Sequence, residues 1–147
     1  MKPGYFLLPV LSFLLVLGSC KKSSTGTHPR ITFASINTKI QPNDSMIGVF
    51  NFDNSGGTLG KGTFYSIRIR LNQAPPFILA GPDTLTASIP DFSGASKGQF
   101  RYVLDWNDYL SSSGHINDTL QFKFFAMTPD SVYTDTLTSP EIIVINP

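Results

Sequence analysis

From Ile31 to the C-terminus the hydrophobic residues fall in runs of about six to ten, separated by clusters of Gly, Pro, Asn, Asp and Ser, and no long stretch keeps a helical period. Such a chain has to fold as β-structure. The spacing predicts strands over 31–40, 46–53, 63–71, 84–89, 98–105, 119–127 and 140–146, with a short edge piece over 77–80. The run Tyr65-Ser66-Ile67-Arg68-Ile69-Arg70-Leu71 alternates most clearly, which predicts an apolar face of Tyr65, Ile67, Ile69 and Leu71 backed by a wet face carrying both arginines. In the sixth strand Leu120, Phe122, Phe124 and Ala126 share one face, and Gln121, Lys123, Phe125 and Met127 the other. Ile142-Ile143-Val144-Ile145 is apolar on both faces. The stretch 105–110 breaks the alternation and is predicted to form one helical turn, with Trp106 and Leu110, four apart, pointing inward.

Only 14% of residues are charged, while Gly and Pro number 12 and 11 and aromatics reach 12%, a balance too apolar for disorder and suited to a turn-rich β protein. Seven such strands predict an all-β, seven-stranded antiparallel β-sandwich of the immunoglobulin or fibronectin type III kind, filling residues 31–147 as one domain. The segment from Asn117 onward, with Asp-Thr-Leu-Gln-Phe-Lys-Phe-Phe-Ala-Met, a loop, then Ser-Pro-Glu-Ile-Ile-Val-Ile, resembles the closing hairpin of Ig-like modules in Bacteroidota lipoproteins. Those relatives often have a Gly-Asn turn where Pro129-Asp130-Ser131-Val132-Tyr133 stands here, so the resemblance is architectural and implies no active site.

The N-terminus reads as an address. Lys2 precedes an apolar run from Tyr5 to Leu17 that is too short, and too interrupted by Pro9 and Ser12, to span a bilayer, which is the pattern of a secretory signal peptide over 1–19. Leu17-Gly18-Ser19-Cys20 resembles the lipobox of bacterial lipoproteins. The resemblance implies cleavage before Cys20, a diacylglyceryl group on its thiol and acylation of the new amino group, an anchor of two or three chains that is effectively permanent. It leaves residues 20–147, with ten of the 11 basic side chains against 10 acidic ones, so no field draws in nucleic acid. Cys20 is the only cysteine, so burial alone must hold the domain.

Residues 20–30 are then a lipidated Cys and a flexible tether spanning about 16–19 Å, in which Lys21 and Lys22 can touch anionic headgroups. Bacteroidota surface-export signals tend to be acidic just after the Cys. Here the first acid is Asp44, which favours the periplasmic face of the outer membrane.

No constellation for catalysis stands out. His28 lies in the tether and His115 in a Ser-Ser-Ser-Gly-His loop, and no Gly-x-Ser-x-Gly elbow is present. Short oxygen clusters at Asp105, Asn107 and Asp108 and at Asp53, Asn54 and Ser55 lack the spacing of a calcium loop, and Asp and Asn in turns ordinarily bond their own backbone. Neither a metal site nor a cofactor is predicted. Arg68, Arg70 and Arg101 are read as a solvated sheet face rather than a strip for acidic glycans.

Five of the nine aspartates stand before Ser or Thr and then an aliphatic residue, where composition predicts about 0.7. The triplet resembles the acceptor motif of general O-glycosylation in Bacteroidota, which makes Ser45, Thr84, Thr119, Ser131 and Thr136 candidate attachment sites. Strand entries following an Asp turn also produce it.

The function read from these residues is a non-enzymatic, lipid-anchored Ig-like envelope module that binds a protein or glycan partner or serves as an accessory subunit. Phe125, Met127 and the Ile142 to Ile145 edge are its first contact candidates, through apolar surplus on the last strands. The alternative is a glycan-binding lipoprotein of a polysaccharide-uptake system, which requires an exposed ring at Trp106 or Tyr109.

Overall fold

The computed structural model describes residues 28–72, 78–92, 94–113 and 117–147. Nine strands form two sheets: β1 (Arg30–Ile36), β2 (Lys39–Ile40), β3 (Ser45–Asp53), β4 (Thr63–Arg70), β5 (Thr84–Ser88), β6 (Lys97–Asp105), β7 (Asp118–Met127), β8 (Leu137–Thr138) and β9 (Ile142–Val144). The smaller sheet has the order β1-β3-β6. The larger runs β2-β9-β7-β4-β5, with β8 and β9 sharing one edge of β7. The chain is an all-β sandwich.

The strand count of seven is corrected to nine. The predicted strand 31–40 is two strands on different sheets, because Asn37 ends the first: its Oδ1 accepts from Ile47 N at 2.6 Å and its Nδ2 donates to Ser45 O at 3.0 Å. The chain then crosses to the larger sheet, where β2 pairs with β9 in parallel, so the sandwich is not wholly antiparallel. The two-residue β8 had no apolar run to announce it. The predicted 140–146 shortens to β9, and Leu79 of the predicted edge piece makes only an isolated bridge to Ser112.

The faces of β4 are also reversed. Its register places Phe64 opposite Ala126, Ser66 opposite Phe124, Arg68 opposite Phe122 and Arg70 opposite Leu120. The row Leu120, Phe122, Phe124 and Ala126 of β7 is fully buried, so it sets the inward side of the whole sheet and carries the arginine row of β4 in with it. Arg68, expected on a wet face, is 6% exposed. Alternation in one strand distinguishes its two sides, but register with the stronger neighbour decides which of them meets the core.

Between the sheets lies a cluster of phenylalanines. Phe33, Phe50 and Phe100 of the smaller sheet meet Phe64 and Phe124 of the larger, with Phe50 centroids 5.3, 5.4, 5.0 and 5.0 Å from Phe33, Phe100, Phe64 and Phe124. The glycines Gly48 and Gly98 make room for this packing, since a Cβ on either would come within 2.8 Å of the rings of Phe50 and Phe52.

The predicted helical turn is present as a single π-type turn, Trp106–Leu110, closed by Ser111 N donating to Trp106 O at 2.7 Å. Leu110 is fully buried, and Trp106 is half-buried against the core.

Candidate functional site

Because the β7 row of Leu120 to Ala126 faces inward, the opposite row of Gln121, Lys123, Phe125 and Met127 faces outward, with Thr63, Tyr65, Ile67 and Ile69 of β4 beside it. Tyr65 and Phe125 stand directly opposite, stacked at 4.7 Å and 7°. Tyr133, paired to Met127 and 53% exposed, extends the cluster at 6.1 Å from Phe125. The flanking β5 presents Thr84, Thr86 and Ser88. This outer face is therefore apolar and aromatic at its centre and hydroxyl-rich at its margin, with the cation Lys123 on β7 beside the aromatic centre and Lys39 on β2 toward the far edge. Sequence reading singled out Phe125 and Met127 here and missed Tyr65 and Tyr133. No signal within β4 placed Tyr65 outside, because only the register with the buried β7 row turns the apolar side of β4 outward.

The smaller sheet presents a polar region at one end. Gln99 Nε2 donates to Asn51 Oδ1 at 2.9 Å, Asn51 Nδ2 to Thr32 Oγ1 at 3.4 Å, and Lys97 Nζ lies 3.2 Å from Asp53 Oδ2. These residues border an open depression of about 620 Å³. Hydrogen bonds from the Ser55 backbone and side chain, and then Lys97, hold the Asp53 carboxyl below its ordinary range.

At the opposite end the two inward arginines act as staples. Arg68 donates through Nη1 to Ala80 O at 2.7 Å and to Tyr109 O, through Nη2 to Gly81 O at 3.1 Å, and through Nε and Nη2 to Asp83 Oδ1 at 3.1 and 2.9 Å. The buried Asp118 accepts from Arg70 Nε at 2.6 Å and from Asn146 Nδ2 at 3.0 Å. The Arg68 side chain is 3% exposed and Arg70 is paired with the buried Asp118, so the reading of Arg68 and Arg70 as a solvated face gives way to a structural one. Arg101 is exposed on β6 in the smaller sheet, so the three do not form a strip.

Trp106 and Tyr109, the rings required by the glycan-binding alternative, are half-buried, and the Trp106 indole N–H donates to Ile145 O at 3.0 Å. Of the triplet hydroxyls, Thr84, Ser131 and Thr136 are exposed, with Ser131 at φ +65° in its turn. Ser45 and Thr119 are half-buried, and Ser45 Oγ donates to Asp105 Oδ1 at 2.7 Å. The oxygen clusters serve their own neighbourhoods, since Asp53 Oδ1 accepts from Ser55 N at 2.9 Å. Among the described residues no three His, Cys, Asp or Glu side chains gather as metal ligands, and no helix is long and apolar enough to cross a membrane. Cys20, Lys21, Lys22 and His115 lie outside the described residues.

No protein-family model and no curated protein matches the chain. Among solved structures it is similar to the sporulation control protein Spo0M from Bacillus subtilis, at 10% identity and TM-score 0.44, over 82% of this chain and 50% of that one. A cohesin module from a Clostridium perfringens family 33 glycoside hydrolase matches at 13% identity and TM-score 0.42, over 83% of this chain and 100% of the module. A β-glucosidase from Listeria innocua matches at 10% identity and TM-score 0.44, over 80% of this chain and 16% of the enzyme. This chain spans half the length of the Spo0M structure. At these scores the likenesses carry nothing about ligand or chemistry.

Proposed function

We propose that the protein is a non-enzymatic module of the bacterial outer membrane, held on its periplasmic face by lipid on Cys20, that binds a protein partner through the outer face of its larger sheet. The observation that carries this reading is the aromatic cluster of Tyr65, Phe125 and Tyr133 on the side of β4 and β7 turned away from the core. A half-exposed aromatic face is the kind of surface on which partner recognition concentrates. The immunoglobulin-like reading of the sandwich draws support from the order β1-β3-β6 and from the N-terminal segment that crosses between sheets.

Replacing Phe125 with Lys separates the face from the core. The ring is half-buried and its loss costs no more than about 1–2 kcal/mol, so the variant stays folded while a partner recovered with the wild type from native membranes is lost. Unfolding of this variant at room temperature, or undiminished recovery of the partner, counts against the face.

The anchor has its own test. Cys20→Ala moves the protein from the membrane pellet to the soluble fraction, and intact mass of the wild type exceeds that of residues 20–147 by the acyl groups. In the same spectrum hexose-scale increments that vanish in Thr84→Val, Ser131→Ala and Thr136→Val would assign O-glycans to the exposed triplets. A spectrum with lipid mass alone removes glycosylation, and one with neither removes the anchor as well.

A further inference from the structure

The smaller sheet ends at β6, whose far side pairs with no strand among the described residues. Its hydrogen-bond phase follows from the two bonds that continue the β3–β6 ladder, Asn54 N to Ser96 O at 2.8 Å and Trp106 N to Asp44 O at 2.9 Å. Both involve even-numbered residues of the β6 side. In an antiparallel ladder the bonded positions alternate, so Lys97, Gln99, Arg101, Val103 and Asp105 aim their N–H and C=O groups away from β3. The inward row on the same edge is incompletely covered: Phe100 and Tyr102 are only half-buried, and a cleft of about 180 Å³ opens beside Tyr102 toward β5. Burial nonetheless raises the Tyr102 phenol above its ordinary range.

We infer that this edge pairs with β6 of a second copy, antiparallel about a twofold axis through Arg101, joining the two three-stranded sheets into one. In that register Lys97 faces Asp105 of the other copy at both ends, Gln99 faces Val103, and every outward backbone group meets a partner in the correct phase. The inward row then sets Phe100 against Tyr102 twice, covering the half-exposed rings. Shifting the register by two residues in either direction leaves Lys97 or Asp105 without its counterpart and forfeits backbone bonds at the ends. Lys97 and Arg101 discourage addition of unrelated strands, while the Lys97–Asp105 complement admits the same strand reversed. The like-charged Arg101 pair on the axis keeps the association weak.

This inference is independent of the anchor and of the larger sheet's outer face. Sedimentation velocity of the membrane-extracted chain in detergent reads it. The wild type shows a concentration-dependent monomer–dimer equilibrium, Arg101→Ala tightens it about two- to fivefold, and Arg101→Pro abolishes it. The Arg101 N–H points away from β3 and has no partner among the described residues, so the proline variant keeps the wild-type circular dichroism and melting curve. Register is read by oxidising single cysteines placed in a Cys20→Ser background. Cysteine introduced by Arg101→Cys meets its own copy at about 5.5 Å between Cα atoms and crosslinks. Gln99→Cys and Val103→Cys hold their copies about 13 Å apart and do not. A wild type that stays monomeric to about 1 mM, a dimer that survives Arg101→Pro, or crosslinking at 99 or 103 as ready as at 101 overturns the inference. So does an edge that stays monomeric alone yet captures another protein's strand.

Discussion

Arg68→Ala lowers the free energy of unfolding by about 3–5 kcal/mol, measured by urea denaturation monitored through tryptophan fluorescence. The loss comes from acceptors rather than from charge. Asp83, the ion-pair partner, is 72% exposed on its side chain and rehydrates when the guanidinium is gone. The carbonyls of Ala80, Gly81 and Tyr109 converge on a side chain that is 3% exposed, and truncation leaves them with no donor from this residue. Arg68→Lys recovers only part of the stability, because an ammonium has three donors at one point where the guanidinium forks toward two loops. Full recovery by Lys, or a loss below about 1 kcal/mol in Arg68→Ala, would show that the loops 78–83 and 106–110 hold their places without the staple.

Phe50→Ala costs a similar amount, about 3–5 kcal/mol, for the opposite reason. Phe50 is fully buried and touches rings from both sheets, so its removal opens a cavity where the sheets are joined. Gly48, whose missing Cβ leaves room for this ring, permits a partial remedy: Gly48→Ala in the Phe50→Ala background fills some of the void, whereas in the wild type it collides with the ring at 2.8 Å. The two substitutions should therefore be strongly non-additive in equilibrium unfolding. Additivity within about 0.5 kcal/mol would mean that the core relaxes around either change alone.

The class of fold was legible because turn clusters and short apolar runs are local properties, and six of the predicted strands fall within a few residues of observed ones. The helical turn ending at buried Leu110 was legible for the same reason, since a break in alternation needs no partner to be noticed. The contact candidate Phe125 was readable as part of an apolar surplus on its strand, although its stacking partner Tyr65 was assigned to the core side.

What only the tertiary structure decided is which side of each strand faces in. A strand has two faces of equal geometric standing, and its own alternation cannot rank them against those of its neighbours. In β4 the arginines looked outward until β7, with Leu120, Phe122, Phe124 and Ala126 in register, turned them in. That inversion was tolerable because loops distant in sequence bring carbonyls to Arg68 and Asp118 to Arg70. The same pairing put Tyr65 and Phe125 outside together, and the phase of the β3–β6 ladder determined which backbone groups of β6 remain free. The chain's own order thus specified strands and turns, whereas faces and edges are properties of pairs of strands, defined only once register exists.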